Sequence, residues 1–281
     1  MNQTDGISRE GYLNENYHYF HLKDTSGQER DFHFHEFDKL VLLKSGRVDY
    51  TVESRTFSLK PNDVLLVKHH TIHRADIDTT TPYERVIIYI NGAYFQRCLP
   101  GAGLMDCFDR AEKSGRLLLT PNEAQSAAIS ALLGAYEENA SSAERGANAM
   151  CDTLMMQLLI NVDRVSAASA PEREARSDGK IADTLSYINE NLRSDLTVDA
   201  LAERLYLSKY HFMRLFKAQT GSTVHAYVRQ KRLFSAVRMM REGVPAERAA
   251  IDSGFGDYSA FYRAFRETFG ITPGKLRTSE E

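Results

Sequence analysis

The stretch RDFHFHEFDKL, residues 30–40, places His33 and His35 one residue apart. In an extended strand alternate side chains share a face, so both imidazoles point the same way. Two such rings can ligate a divalent metal, line a pocket that binds an effector, or sit hydrogen-bonded within a core. A second group, KHHTIHR, gathers His69, His70 and His73 in a turn that can also take Zn. The residue types alone leave these readings open, and the scaffold that positions them has to decide.

That scaffold reads as β over residues 17–95. Short apolar or alternating runs are broken by turn signals at Ser45-Gly46, Glu53-Ser54-Arg55, Pro61-Asn62-Asp63 and His69 to Thr71. RVDYTVES alternates with period two, which puts Val48, Tyr50 and Val52 on one face, and YERVIIYIN adds a further strand. Strands at this spacing predict an antiparallel sandwich or barrel. From about Pro121 the period becomes helical. One helix places Ala124, Ala128, Leu132 and Ala135 in a stripe, and the next places Met150, Leu154, Gln157, Leu158 and Asn161. Their apolar surface predicts packing against a second subunit, with packing on their own barrel as the alternative. SAASAPEREARSDG, residues 166–179, has the composition of a linker.

A chain of 281 residues, 42% hydrophobic and 26% charged, has room for two ordinary globular domains. No apolar run reaches membrane-spanning length, and the polar start MNQTDGISREGYLNENY lacks the regions of a signal peptide. Three cysteines, Cys98, Cys107 and Cys151, without metal-type spacing fit small buried residues in a reducing compartment. A cytoplasmic protein with no membrane partner is expected. No nucleotide-binding glycine motif or catalytic-triad signature is present, so neither an enzyme nor a cofactor is expected. Charge is uneven: residues 1–178 carry 19 basic against 26 acidic side chains, and residues 179–281 carry 16 against 12. A basic last third on an acidic protein points to a polyanion partner for that third.

That third contains a repeat. FMRLFKAQTG, from Phe212, and FYRAFRETFG, from Phe261, align without a gap 49 residues apart, and each ends in a glycine suited to a helix C′ position. A short helix and tight turn precede each copy, with Thr197 and Ser208 as N-caps in the first and Gly254 as the turn of the second. Phe212, Leu215 and Phe216 fall on the buried side of the first copy; Phe261, Ala264 and Phe265 do so in the second. The opposite faces carry Tyr210, Met213, Arg214 and Lys217, then Tyr258, Ser259, Tyr262, Arg263 and Arg266. A positive, hydrogen-bonding helix face of this length suits the major groove of double-stranded DNA. Arg214 and Arg263 are placed to address guanine edges and Met213 a thymine methyl, while Lys217 and Arg266 lie one turn on, facing phosphate.

LTVDALAERLYLSKYHFMRLFKAQTG followed by AAIDSGFGDYSAFYRAFRETFGITPGKLR resembles the double helix-turn-helix domain of AraC-type transcription regulators. The resemblance covers residues 180–277 and includes Gly254-Phe255 and the Pro273…Arg277 ending. It implies a linker helix at about Val224 to Arg241 that spaces two recognition helices about one DNA turn, roughly 34 Å, apart. The departures are mild: Ala249-Ala250 stands for the usual Ile-Ala, and Tyr206 occupies the first turn where the second has glycine.

The first part, with its order HFH…SG…LKPNDVLLV…H, resembles the cupin-type barrel found on many such regulators. The implied fold is α+β: a cupin-like barrel (1–120), a helical dimerisation segment (121–165), the linker, and an all-α double helix-turn-helix domain (180–281). In metal-binding cupins the corresponding histidines, here His33, His35 and His73, converge on one ion with a glutamate. That glutamate position is Lys39, and an ammonium there opposes a cation and suits an anion. Glu36 and Asp38 have the wrong strand parity to replace it. The implied effector site is therefore His33, His35, Lys39 and His73, with Arg74, Tyr83 and Arg85 expected near the barrel mouth. The resemblance implies a homodimeric regulator whose barrel senses a small molecule, a carbohydrate by family habit, and shifts the DNA-competent population. The polar N-terminal segment is a candidate arm over the barrel. The rival is a metal-dependent cupin enzyme fused to a DNA-binding module.

Overall fold

The computed structural model describes residues 8–9, 11, 13, 15–24, 31–168, 176–177 and 179–276. Most of the predicted N-terminal arm and of the linker, including residues 169–175, lies outside the described residues.

The barrel begins with β1 (Ser8–Arg9), β2 (Tyr17–Asp24), β3 (His33–Phe34), β4 (Asp38–Ser45), β5 (Val48–Val52) and β6 (Arg55–Leu59). It continues with β7 (Val64–Val67), β8 (His73–Ile77) and β9 (Tyr83–Ile90), then α1 (Gly92–Cys98), α2 (Asp106–Ser114) and β10 (Leu118–Leu119). Two long helices, α3 (Glu123–Ala140) and α4 (Ala147–Ala167), and a short β11 (Arg176–Ser177) complete this part. One sheet has the order β1-β3-β8-β5-β6-β11 and the other β10-β7-β4-β9-β2. Neighbours are antiparallel except β1 and β3. The two sheets face each other across Val41, Leu43, Tyr50, Val52, Phe57 and Val67, the core of the cupin-like barrel. The turns at Glu53-Ser54, Pro61-Asn62 and His69-His70 fall where the sequence signals put them.

β4 reads as a continuous apolar run because both of its faces are covered. Val41 and Leu43 point into the barrel, while Leu40 and Leu42 meet Phe108 of α2, Ile129 and Leu133 of α3 and Leu158 of α4. The alanine stripe expected to be the apolar face of α3 is not its buried face. Ala124 and Ala128 are exposed, and Ile129 and Leu133 fill the core instead. Larger side chains win the interior because each removes more apolar area from water. In α4, Leu154, Met155, Leu158, Leu159 and Val162 are buried. The sequence reading passed over α1 and α2, although Cys107, Phe108 and Ala111 give α2 a buried face at helical spacing.

The remaining helices form two small cores. The first contains α5 (Gly179–Glu190), α6 (Val198–Arg204), α7 (Lys209–Thr220) and the start of α8 (Val224–Arg241), around Ile181, Leu201, Phe212, Phe216 and Tyr227. The second contains the end of α8, α9 (Ala246–Asp252), α10 (Tyr258–Phe269) and α11 (Pro273–Leu276), around Val237, Phe255, Phe261 and Phe265. Thr197, Ser208, Thr223 and Asp257 cap α6, α7, α8 and α10, each accepting a backbone N–H from its helix's first turn. Gly221 and Gly270 end α7 and α10 with left-handed φ of 72° and 71°. No helix among the described residues is long and apolar enough to cross a membrane.

Candidate functional site

Two groups of side chains stand out, one on the surface of the helical part and one inside the barrel. On α7, Tyr210, Met213, Arg214 and Lys217 are exposed, while Phe212 and Phe216 are fully buried and Leu215 is half-buried. On α10, Ser259, Arg263 and Arg266 are exposed, Tyr258 and Tyr262 are half-buried, and Phe261, Ala264 and Phe265 are buried. Phenylalanines three or four positions apart lock one side of each helix into its core, which leaves the arginines outside. Both helices therefore present a cationic outer face with tyrosines at its start. Tyr206, noted in the sequence only as a departure in the first turn, is exposed, as is His211 on α7, which the sequence reading passed over.

Inside the barrel, β3 and β8 pair at His33 opposite His73. With His35 these residues form a buried cluster in which the three candidate ligand atoms lie within 4.8 Å of one another. The ring centres are 4.4 Å (His33–His73), 5.0 Å (His33–His35) and 4.9 Å (His35–His73) apart. His33 Nδ1 lies 2.8 Å from the Asp31 carbonyl, and His73 Nδ1 lies 2.9 Å from the Thr71 carbonyl. A carbonyl only accepts, so each Nδ1 carries the proton it donates, and in a neutral ring Nε2 is then the acceptor. Burial, then the charge of Lys39 and the two other histidines, holds the His73 pKa well below the usual imidazole value, so that ring is neutral.

Lys39 shares the inward parity of Val41 and Leu43, is buried, and lies 5.7 Å from the Tyr50 ring centre. Asp38 points the other way, where its carboxylate accepts from the His69 backbone N–H and ring Nδ1 at 2.9 and 2.7 Å. His69 is thereby drawn off from the cluster, and His70 stacks elsewhere, on Phe234.

Tyr83 and Arg85 do not join the histidines. Strand register sets Lys39 opposite Tyr89 but Leu43 opposite Arg85, so Arg85 lies four residues farther along β9, about 13 Å away. There Arg85 packs over the Tyr83 ring and pairs with Asp24. Arg74 lies over Phe32 and pairs with Asp76. The aromatic neighbours of the cluster are instead Phe37, stacked on His35 at 4.6 Å, and Tyr89 at 5.6 Å. Period two in YERVIIYI already put Tyr89 on the inward face, a signal the sequence reading passed over.

Residues 16–159 match the AraC-like ligand binding domain family, just over half of the chain, and residues 201–279 match a helix-turn-helix domain family. The chain belongs to the AraC-type transcription regulators. Over 252 residues it is 24% identical to the HTH-type transcriptional activator RhaS of Salmonella schwarzengrund, covering 89% of this chain and 88% of that one. The probable transcriptional regulator LumQ of Photobacterium leiognathi is 23% identical over 90% of this chain and 94% of its own. The solved structure of ToxT from Vibrio cholerae is similar at 12% identity and a TM-score of 0.36, with 94% of this chain and 98% of that one covered. The regulator thus joins a ligand-binding barrel to a DNA-binding reader of two helix-turn-helix units.

Proposed function

We propose that this regulator recognises an asymmetric DNA half-site with α7 and α10 in successive major grooves, as a homodimer joined through α3 and α4. The observation that supports it most is the pair of cationic outer faces, in frame and joined by the single helix α8. Arg214 and Arg263 read guanine edges, Met213 touches a thymine methyl, and Lys217 and Arg266 hold phosphates. Tyr210, Tyr258, Ser259 and Tyr262 supply hydrogen bonds along the same faces. On a duplex selected for tight binding, Arg214→Ala and Arg263→Ala should each cost about 1–3 kcal/mol and relax preference at one position. Lys217→Ala should weaken binding to all sequences alike and reduce the salt dependence. Unchanged binding by both arginine variants would refute the assignment.

The sensing site in this reading is the cluster of His33, His35, His73 and Lys39, with Tyr89 beside it. Inward lone pairs and one ammonium exchange hydrogen bonds with a hydroxyl-rich molecule, which makes a carbohydrate a fitting effector. A second reading is favoured by the convergence of one candidate ligand atom from each histidine within 4.8 Å. Three clustered imidazoles, two of them with Nδ1 tied to a carbonyl, fit a divalent ion such as Zn, Co or Ni, and Lys39 works against it. Thermal unfolding of the full chain against metals, sugars and small acids separates the two. A ligand at a hundred times its Kd adds about 2.7 kcal/mol, and the gain should vanish in His33→Ala.

A further inference from the structure

The strand that carries the sensing histidines has a second face. His33 and His35 turn into the barrel, while Phe32 and Phe34 turn out of it onto the reader. Phe32 is part of the first reader core, together with Ile72 from the turn before His73. Its ring also lies against Gly221, the residue that ends α7, so closely that a methyl group there would overlap it. The Phe34 ring meets Phe234 of α8 at 5.0 Å, and His70 stacks on the same residue at 4.0 Å and 7°.

One turn of the barrel adds a polar hold. The Glu53 carboxylate accepts from the Tyr227 hydroxyl and from Lys231 Nζ at 2.7 Å, both on α8. Glu53 itself has φ of +55°, a left-handed backbone that costs a side-chain-bearing residue about 1–3 kcal/mol. The two-residue turn between β5 and β6 calls for such a backbone, and it presents the Glu53 side chain to α8. Beside Glu53 a cavity of about 220 Å³ opens between barrel and reader, bordered by Arg55, Lys68, Asn189 and Lys231. The contact is therefore anchored at a few points and incompletely filled, the character of an interface that can open.

We propose that Phe32, Phe34 and Glu53 form an intramolecular latch by which the barrel holds the first helix-turn-helix unit and the linker helix, and that a change on the histidine face of β3 works this latch from behind. β3 is two residues long, so a displacement of His33 is a displacement of its neighbours Phe32 and Phe34. Packed contacts of this kind switch between discrete arrangements after small shifts. The transmitted part rests on reading the histidine cluster as the sensing site; the latch itself does not.

The chain has no tryptophan, so Phe234→Trp in the full-length protein provides a single fluorescent reporter at the latch. Added to that background, Phe34→Ala or Glu53→Gln should red-shift the emission as the indole meets water. In the otherwise native chain the same two changes should alter affinity for a selected duplex by about 5- to 150-fold, the usual span of coupling between sites. His33→Ala, which touches only the inner face, should move the emission as well. Faster amide exchange in residues 224–236 of the Phe34→Ala and Glu53→Gln chains gives the same readout should the reporter variant not fold.

Opening without any change in DNA affinity would reduce the contact to scaffolding and overturn the proposal. Emission and exchange unmoved by Phe34→Ala and Glu53→Gln would overturn the latch. A shift with those variants but not with His33→Ala would overturn the transmission through β3. None of these arms uses an effector, so failure to find one bears on the sensing site and leaves this result intact.

Discussion

The two helix-turn-helix units share a motif but not a setting. Each has a capped second helix, a Phe-x-Arg-x-Phe block and a left-handed glycine at the helix end. Among the described residues, the first unit's core takes in Phe32 and Ile72 of the barrel, and the second unit's core takes in no barrel residue. The glycines record the difference. Phe32 presses on Gly221, whereas nothing among the described residues lies within 4 Å of a methyl group placed on Gly270. The turns differ as well. Tyr206 holds φ of +55° while 97% exposed, but Gly254, at +98°, sits against the Leu192 carbonyl. That carbonyl accepts from Arg232 Nε at 2.8 Å, which fixes it in place. A repeated motif thus has two settings: the second unit is braced within the reader, and the first is also tied to the barrel.

The largest expected effect tests the bracing. Gly254→Ala puts a side chain into a left-handed turn and against a held backbone carbonyl, and should destabilise the second unit by about 3 kcal/mol in denaturant unfolding. Next come the paired glycines. Gly221→Ala and Gly270→Ala share a left-handed penalty of about 1–2 kcal/mol, and Gly221→Ala should cost about 1–3 kcal/mol more because of Phe32. That excess should shrink in a Phe32→Ala background, a double-mutant cycle on the latch. Equal costs in the native background would dissolve the contrast between the units. The smallest effect should be the same in both: Ser208→Ala and Asp257→Ala each remove one cap bond and cost about 1 kcal/mol.

Much of the placement of the candidate residues was legible before any coordinates. The repeat named the outer faces of α7 and α10, because buried phenylalanines at helical spacing leave only one side for arginines. Thr197, Ser208 and the terminal glycines announced the helix limits through local backbone chemistry, and α8 runs over the span the resemblance implied. His33 and His35 were visible as partners by strand parity alone. Other features were misread or unseen. Periodicity marked an apolar stripe on α3 without distinguishing the alanines that face water from Ile129 and Leu133, since both patterns recur at helical spacing. Tyr83 and Arg85 were expected near the barrel mouth as part of the effector site, and strand register sets them toward the other end of β9 from the histidines. Glu53 read only as a turn signal, and Phe32 and Phe34 only as strand residues.

Taken alone, the sequence determined what is decided within a few residues of chain: strand alternation, helix faces, caps and turns, and the repeated reader. These follow from sterics and short-range hydrogen bonds that each segment carries with it. The tertiary structure decided which segments share a core. Glu53 meets Lys231 and Phe34 meets Phe234 across roughly two hundred residues. Burial of apolar surface is non-directional, so the pattern of a segment shows that it needs a partner but not which one. Only the folded chain shows that one face of β3 lines the histidine cluster and the other meets the reader.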